Sequence, residues 1–128
     1  MLIQQRTPDK KGWPNLWDFS IGGHVDAGET PIQGAMRELK EELGIDIDLS
    51  NERPFFTINF ERGFDDFFLI QAEPDLINLK LQVSEVQSVQ WATLDQIKKM
   101  LQDKTFIPYK ASLIDFVFEQ KDCRGAHQ

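Results

Sequence analysis

The sequence predicts a mixed α+β domain, and three observations carry that prediction. The chain has 128 residues, enough for one hydrophobic core and too few for two. Its 41% hydrophobic and 27% charged residues are the make-up of an ordinary globular chain, which excludes intrinsic disorder and low complexity. Strand-like and helix-like segments are interspersed along it without the strict alternation of a parallel α/β sheet. The expected organisation is a single domain over residues 1–128, with neither repeat nor linker.

The elements follow in order. Leu2 to Arg6 reads as a short strand, ended by the turn-rich stretch Thr7-Pro8-Asp9-Lys10-Lys11-Gly12. Residues 13–21 are aromatic and extended, and residues 22–28 form a glycine-rich loop. The next helix is the best marked. Thr30 suits its N-cap, Pro31 falls at the first helical position, and Ile32, Ala35, Met36, Leu39 and Leu43 recur at helical spacing up to a terminal Gly44. Residues 55–61 and 67–72 read as a hairpin turning around Gly63, which leaves Asp65 and Asp66 beside the turn. Glu73-Pro74-Asp75 interrupts the pattern, and residues 86–91 return to a strand. A helix over 94–101 faces Leu94, Ile97 and Leu101 inward, and a last helix runs from about 108 to 120 with Tyr109, Leu113, Phe116 and Val117 on one face.

The formal charge of −7 argues against a general nucleic-acid binder, since an acidic surface repels phosphates. Any polyanionic substrate must therefore arrive with cations. No apolar run approaches the eighteen or so residues that cross a bilayer, and no basic segment followed by an apolar stretch opens the chain. The expectation is a cytoplasmic protein without membrane attachment, and the single Cys123 agrees with a reducing compartment.

Chemistry concentrates between residues 23 and 45. Glu38, Glu41 and Glu42 stand at i, i+3 and i+4, so a helix brings all three carboxylates to one face. Hard oxygen donors clustered in this way suit Mg²⁺ or Mn²⁺, which bridge carboxylates to diphosphate oxygens. A solvated acidic face is the alternative, and Lys40 belongs to such a face on either reading. The wider register decides between them: Gly23, five positions, Glu29, seven positions, Arg37-Glu38-Leu39, one position, Glu41-Glu42, one position, Gly44-Ile45. A chance match to those positions is on the order of one in ten million.

This is the complete Nudix box, and the chain resembles the Nudix hydrolase superfamily. The resemblance implies an α/β/α sandwich with a mixed sheet, in which a further strand usually precedes the one represented by Leu2–Arg6, so the expectation is either a truncated or mis-started chain or one that dispenses with that strand. If that strand is absent, an edge is left to pair with a second copy, and a homodimer is the expectation. It further implies hydrolysis of a diphosphate linkage in a nucleoside-diphosphate-type or related organic pyrophosphate, with Mg²⁺ or Mn²⁺ as cofactor. Carried over by position, Glu41 and Glu42 are metal ligands and Glu38 is a ligand or the base that activates water. The Gly23 backbone carbonyl is a further ligand, and Arg37 pairs with Glu29 to orient the carboxylates.

A narrower resemblance runs through Gln4-Gln5-Arg6, Trp13-Pro14-Asn15-Leu16-Trp17 and Ser20-Ile21-Gly22-Gly23-His24 to the isopentenyl-diphosphate isomerases, which share the fold. It places His24 at their metal-binding histidine, against a role as a loop hydrogen-bonder. It also places Gly22 where they carry a catalytic cysteine, and glycine supplies no proton donor or acceptor. An isomerase is thus the disfavoured alternative, alongside a non-catalytic ligand-binding domain, which normally tolerates erosion of carboxylates that are intact here. Trp13 and Trp17 read either as core or as lining of the substrate pocket, and Asp66 either as a turn residue or as a substrate-binding acid.

Overall fold

A computed structural model describes residues 1–127, with the elements β1 (Leu2–Arg6), β2 (Trp17–Phe19), α1 (Pro31–Leu43), β3 (Phe56–Phe60), β4 (Gly63–Phe67), β5 (Val86–Trp91), α2 (Leu94–Gln102) and α3 (Ala111–Glu119). They fall into two compact units. One joins Met1–Ser20 to the chain from Val83 onward, and the other is Ile21–Gln82.

In the first unit β1 is the middle strand of the order β2-β1-β5, antiparallel to both neighbours. Beyond β2, a parallel bridge from Trp17 to Phe106 makes the sheet mixed, with the Trp17 N–H donating to Thr105 O and the Ile107 N–H to Trp17 O, both at 2.9 Å. The register of β1 with β5 slips where Gln5 faces Ser88 and Arg6 faces Val86, which leaves Gln87 as an extra residue. Its side-chain amide donates to Arg6 O at 2.7 Å and Asn15 Oδ1 at 2.9 Å. Ile3, Ala92, Ile97, Phe106 and Ile114 form the core, onto which Trp17, Phe19, Leu94, Leu101 and Tyr109 pack. α2 begins at Thr93 with a reciprocal capping box to Gln96, and Ile97 is its fully buried residue.

α3 begins at Ala111, three residues after the expected start. The segment before it is held extended, because Ile107 belongs to the bridge with Trp17 and precedes a proline. The Tyr109 hydroxyl donates to Asp18 Oδ1 at 2.8 Å, and the Phe19 N–H donates to the same oxygen at 2.7 Å. Burial pushes the Asp18 carboxyl up, opposed by Tyr109, the Phe19 N–H and Arg6. A carboxyl raised on folding contributes stability that is full below the ordinary value of 3.8 and is lost as pH rises through the folded value. Asp18→Asn keeps an acceptor for Tyr109 and abolishes the titration. Its stability relative to the unsubstituted chain should therefore rise from about pH 4 to about pH 7 in urea unfolding, and a falling difference would contradict the assignment.

The second unit holds α1 and the β3–β4 hairpin. The hairpin corrects the expected strand positions. Phe60 pairs with Gly63 across the two residues Glu61 and Arg62, so the second strand is Gly63–Phe67 and not 67–72. Gly63 is a strand residue covered by the Phe60 ring, from which a Cβ there would be 3.2 Å. Phe56 stacks on its partner Phe67 with centroids 4.6 Å apart, which fixes the register that periodicity alone misassigned. No helix among the described residues is long and apolar enough to cross a membrane.

Candidate active site

The glycine loop and α1 supply the site. Thr30 is extended (φ −82°, ψ 161°), and its hydroxyl accepts from the Gln33 N–H while the Gln33 side chain accepts from the Thr30 N–H. Pro31 occupies the first helical position, and Gly44 closes the helix at φ 69°, a left-handed conformation that favours glycine. Thirteen residues lie between these caps, with Glu38, Glu41 and Glu42 in the C-terminal part.

Arg37 organises the acids. Its Nε donates to Glu29 Oε2 at 2.9 Å and its Nη2 to Glu29 Oε1 at 2.8 Å, a two-point fork on one carboxylate. Nη1 donates to Glu38 Oε1 at 2.8 Å and to Glu41 Oε2 at 3.3 Å, while Nη2 also donates to the His24 carbonyl at 3.0 Å. Asp26 Oδ2 lies 3.4 Å from Nη2. Glu29 Oε1 also accepts from the Asp26 N–H at 2.8 Å. The Arg37 hydrogen bonds, then the Asp26 N–H, hold the Glu29 carboxyl down at about 2. The same bonds, first from Glu29 and then from Glu38, raise Arg37 above its ordinary value. The pair is charged throughout the physiological range, so Arg37 is a fixed cation among acids.

Gly23 stands against Glu38. A Cβ on Gly23 would lie 2.5 Å from Glu38 Cδ and 2.7 Å from Oε1, closer than atoms can approach. Its φ is not left-handed, so the position requires glycine for space. The Gly23 backbone is thereby appressed to a carboxylate. Lys40 points to Asp46 at 3.6 Å on the surface, as expected of a solvated face.

Among the described residues no three histidine, cysteine, aspartate or glutamate side chains form a ready-made metal cage. Arg37 engages both Glu38 and Glu41. Each offers Arg37 one oxygen and keeps the other without a hydrogen bond among the described residues. Glu42 is buried at 5% exposure one residue beyond Glu41. This donor set of two carboxylate oxygens, a buried third carboxylate and an adjacent loop backbone suits a hard divalent cation. The His24 side chain is exposed, and the contact that ties this residue to the site is its carbonyl.

The other sequence candidates are each held by contacts within their own unit. Trp13 belongs to the first unit, exposed and at φ 51°, and Trp17 in β2 packs on that unit's core. Asp66 lies on β4, where its Oδ1 accepts from the Thr57 hydroxyl across the hairpin. Sequence reasoning missed the part of the Asp26 carboxylate beside Arg37 and the backbone donors of Lys80 and Gln82 at the end of α1.

The profile described as NUDIX domain matches residues 1–113. An uncharacterised Nudix hydrolase of Listeria innocua is 44% identical over 127 residues, which are 99% of this chain and 74% of that protein. An isopentenyl-diphosphate Delta-isomerase of Salmonella heidelberg is 29% identical over 109 residues, covering 79% of this chain and 59% of that protein. A solved structure from Deinococcus radiodurans shares the fold with a TM-score of 0.69 at 22% identity, over 92% of this chain and 72% of the other.

Proposed function

The chain belongs to the Nudix family, and from that premise we propose that residues 1–128 form one catalytic domain, a Mg²⁺- or Mn²⁺-dependent hydrolase of a diphosphate linkage in a nucleoside-diphosphate-type or related organic pyrophosphate. The observation that carries this reading is Arg37, forked onto Glu29 and touching Glu38 and Glu41, on the helix that also bears Glu42. A positive group locked in that position holds mutually repelling carboxylates on one face.

Glu38, Glu41, Glu42 and the Gly23 carbonyl would hold the cation, with His24 as a further donor. When bound, it polarises a phosphoryl oxygen, lowers the pKa of water and offsets charge on the departing phosphate. The chain's own part is positioning and proton transfer. Arg37 and Glu29 keep the helix carboxylates in place, and a carboxylate of the group, with Glu38 best placed beside the loop, accepts a proton of the attacking water. The water oxygen bonds to one phosphorus, the bridging P–O bond breaks, and the two products share the two phosphoryl groups. The acidity of the chain is consistent with this, for residues 23–45 hold five acids against Arg37 and Lys40, a net −3 of the −7.

The test is a panel of nucleoside, sugar, alcohol and prenyl diphosphates with Mg²⁺ or Mn²⁺ in ¹⁸O-water, with products weighed by mass spectrometry. Metal-dependent cleavage with one ¹⁸O in a phosphate product is the expected result. No turnover across the panel would overturn the hydrolase reading. Isopentenyl diphosphate belongs in the panel because of the isomerase likeness, and with Gly22 in place no dimethylallyl diphosphate should form.

A further inference from the structure

α1 carries its three carboxylates toward its C-terminal end, where a helix runs out of internal hydrogen bonds and the last carbonyls need outside donors. Two of them find donors on a distant stretch of the same unit. The Gln82 N–H donates to Glu42 O at 2.9 Å, and the Lys80 N–H donates to Leu43 O at 3.0 Å. At Gly44 this strap approaches so closely that a Cβ would stand 2.8 Å from Lys80 Cβ and 3.1 Å from its nitrogen. The strap is itself directed by the turn before it. Asp75 caps the 3-10 turn Leu76–Asn78 through its carboxylate, and Leu79 then leaves extended at φ −71° and ψ 143°.

We infer that residues 80–82 are a positioning element for the metal-binding carboxylates, acting through the main-chain N–H of Gln82 on the backbone of Glu42 itself. The inference rests on the reading of Glu42 as a metal ligand. Glu42 is buried, so its side chain has little rotamer freedom, and the place of its carboxylate follows the place of its Cα. An uncapped helix end frays. Ligand sets lose function when displaced by fractions of an ångström, so a fixed final turn is a functional requirement at this site. Lys80 and Gln82 meet it with backbone groups, and their side chains have no part in it.

Gln82→Pro removes the N–H, and Gln82→Ala keeps it. Mn²⁺ binding to the whole chain without substrate, followed by electron paramagnetic resonance, should be unchanged in Gln82→Ala and weakened about threefold to tenfold in Gln82→Pro, the range of one lost hydrogen bond. Far-ultraviolet circular dichroism should show the helices intact. Unweakened binding by a folded Gln82→Pro, or equal weakening by Gln82→Ala, would overturn the inference. In the unsubstituted protein Mg²⁺ should slow hydrogen exchange at the Lys80 and Gln82 amides, and unaltered exchange would overturn it whether or not the proline variant folds. Glu42→Gln in the same Mn²⁺ titration separates the two claims. Undiminished binding there defeats the ligand assignment, whereas diminished binding there with wild-type binding by Gln82→Pro defeats only the positioning role.

Discussion

Glu42→Gln should lower metal-dependent diphosphate hydrolysis by about a thousandfold or more, roughly 4 kcal/mol of transition-state stabilisation. The substitution keeps shape and volume and removes one negative charge from a buried position. Its backbone carbonyl still accepts from the Gln82 N–H, so the end of α1 is undisturbed. Without metal, relief of like-charge repulsion on the helix face offsets what the buried side chain gives up in its own contacts, and the variant should stay folded with a Tm within a few degrees of the unsubstituted chain. With Mg²⁺, the unsubstituted chain should gain stability by mass action, and the variant should lose most of that gain. Turnover assays paired with thermal melts in the presence and absence of Mg²⁺ check both halves. Unaltered turnover would remove Glu42 from the site, and a collapsed melt without metal would show that its role is structural.

The separation of chemistry from folding in that variant reflects how the two are encoded. The helix that carries the box was legible to its ends, because Thr30, Pro31 and Gly44 are chemically specific caps and the carboxylates sit at helical spacing between them. β1 and β5 were legible too, since each is a short run bounded by turn residues. The hairpin was not. Residues 55–72 contain phenylalanines in both phases, so alternation admits several registers, and the pairing of Phe56 with Phe67 selects one. The start of α3 was hidden for a different reason. It depends on Trp17 and Asp18, some ninety residues away in sequence, and no local pattern reports such contacts. The candidate site divides along the same line. Arg37 with Glu29 was readable as side chains in register, whereas the donors at the end of α1 are backbone N–H groups that any residue but proline supplies.

Gly23→Ala should cost about a hundredfold or more in turnover while leaving Tm within a few degrees, because the added methyl collides with a functional atom and not with the scaffold. The atoms it would meet are Cδ, Oε1 and Cγ of Glu38, at 2.5 to 2.8 Å, all on a side chain that can rotate away. Backbone strain does not enter, since Gly23 lies outside the left-handed region that makes Gly28 and Gly44 expensive to replace. What must yield is the Glu38 carboxylate, and with it the 2.8 Å hydrogen bond from Arg37 Nη1. The displaced carboxylate can no longer stand beside the loop backbone, and on the proposed reading the cation site then loses a ligand or base next to the Gly23 carbonyl. The loss should fall on kcat and on the Mg²⁺ concentration needed for half-maximal rate. Steady-state kinetics over a Mg²⁺ series, with a melt of the same preparation, distinguishes this from unfolding. Wild-type kinetics in a folded Gly23→Ala would mean that Glu38 works from some other position, and the close approach of loop and helix would then have no part in the reaction.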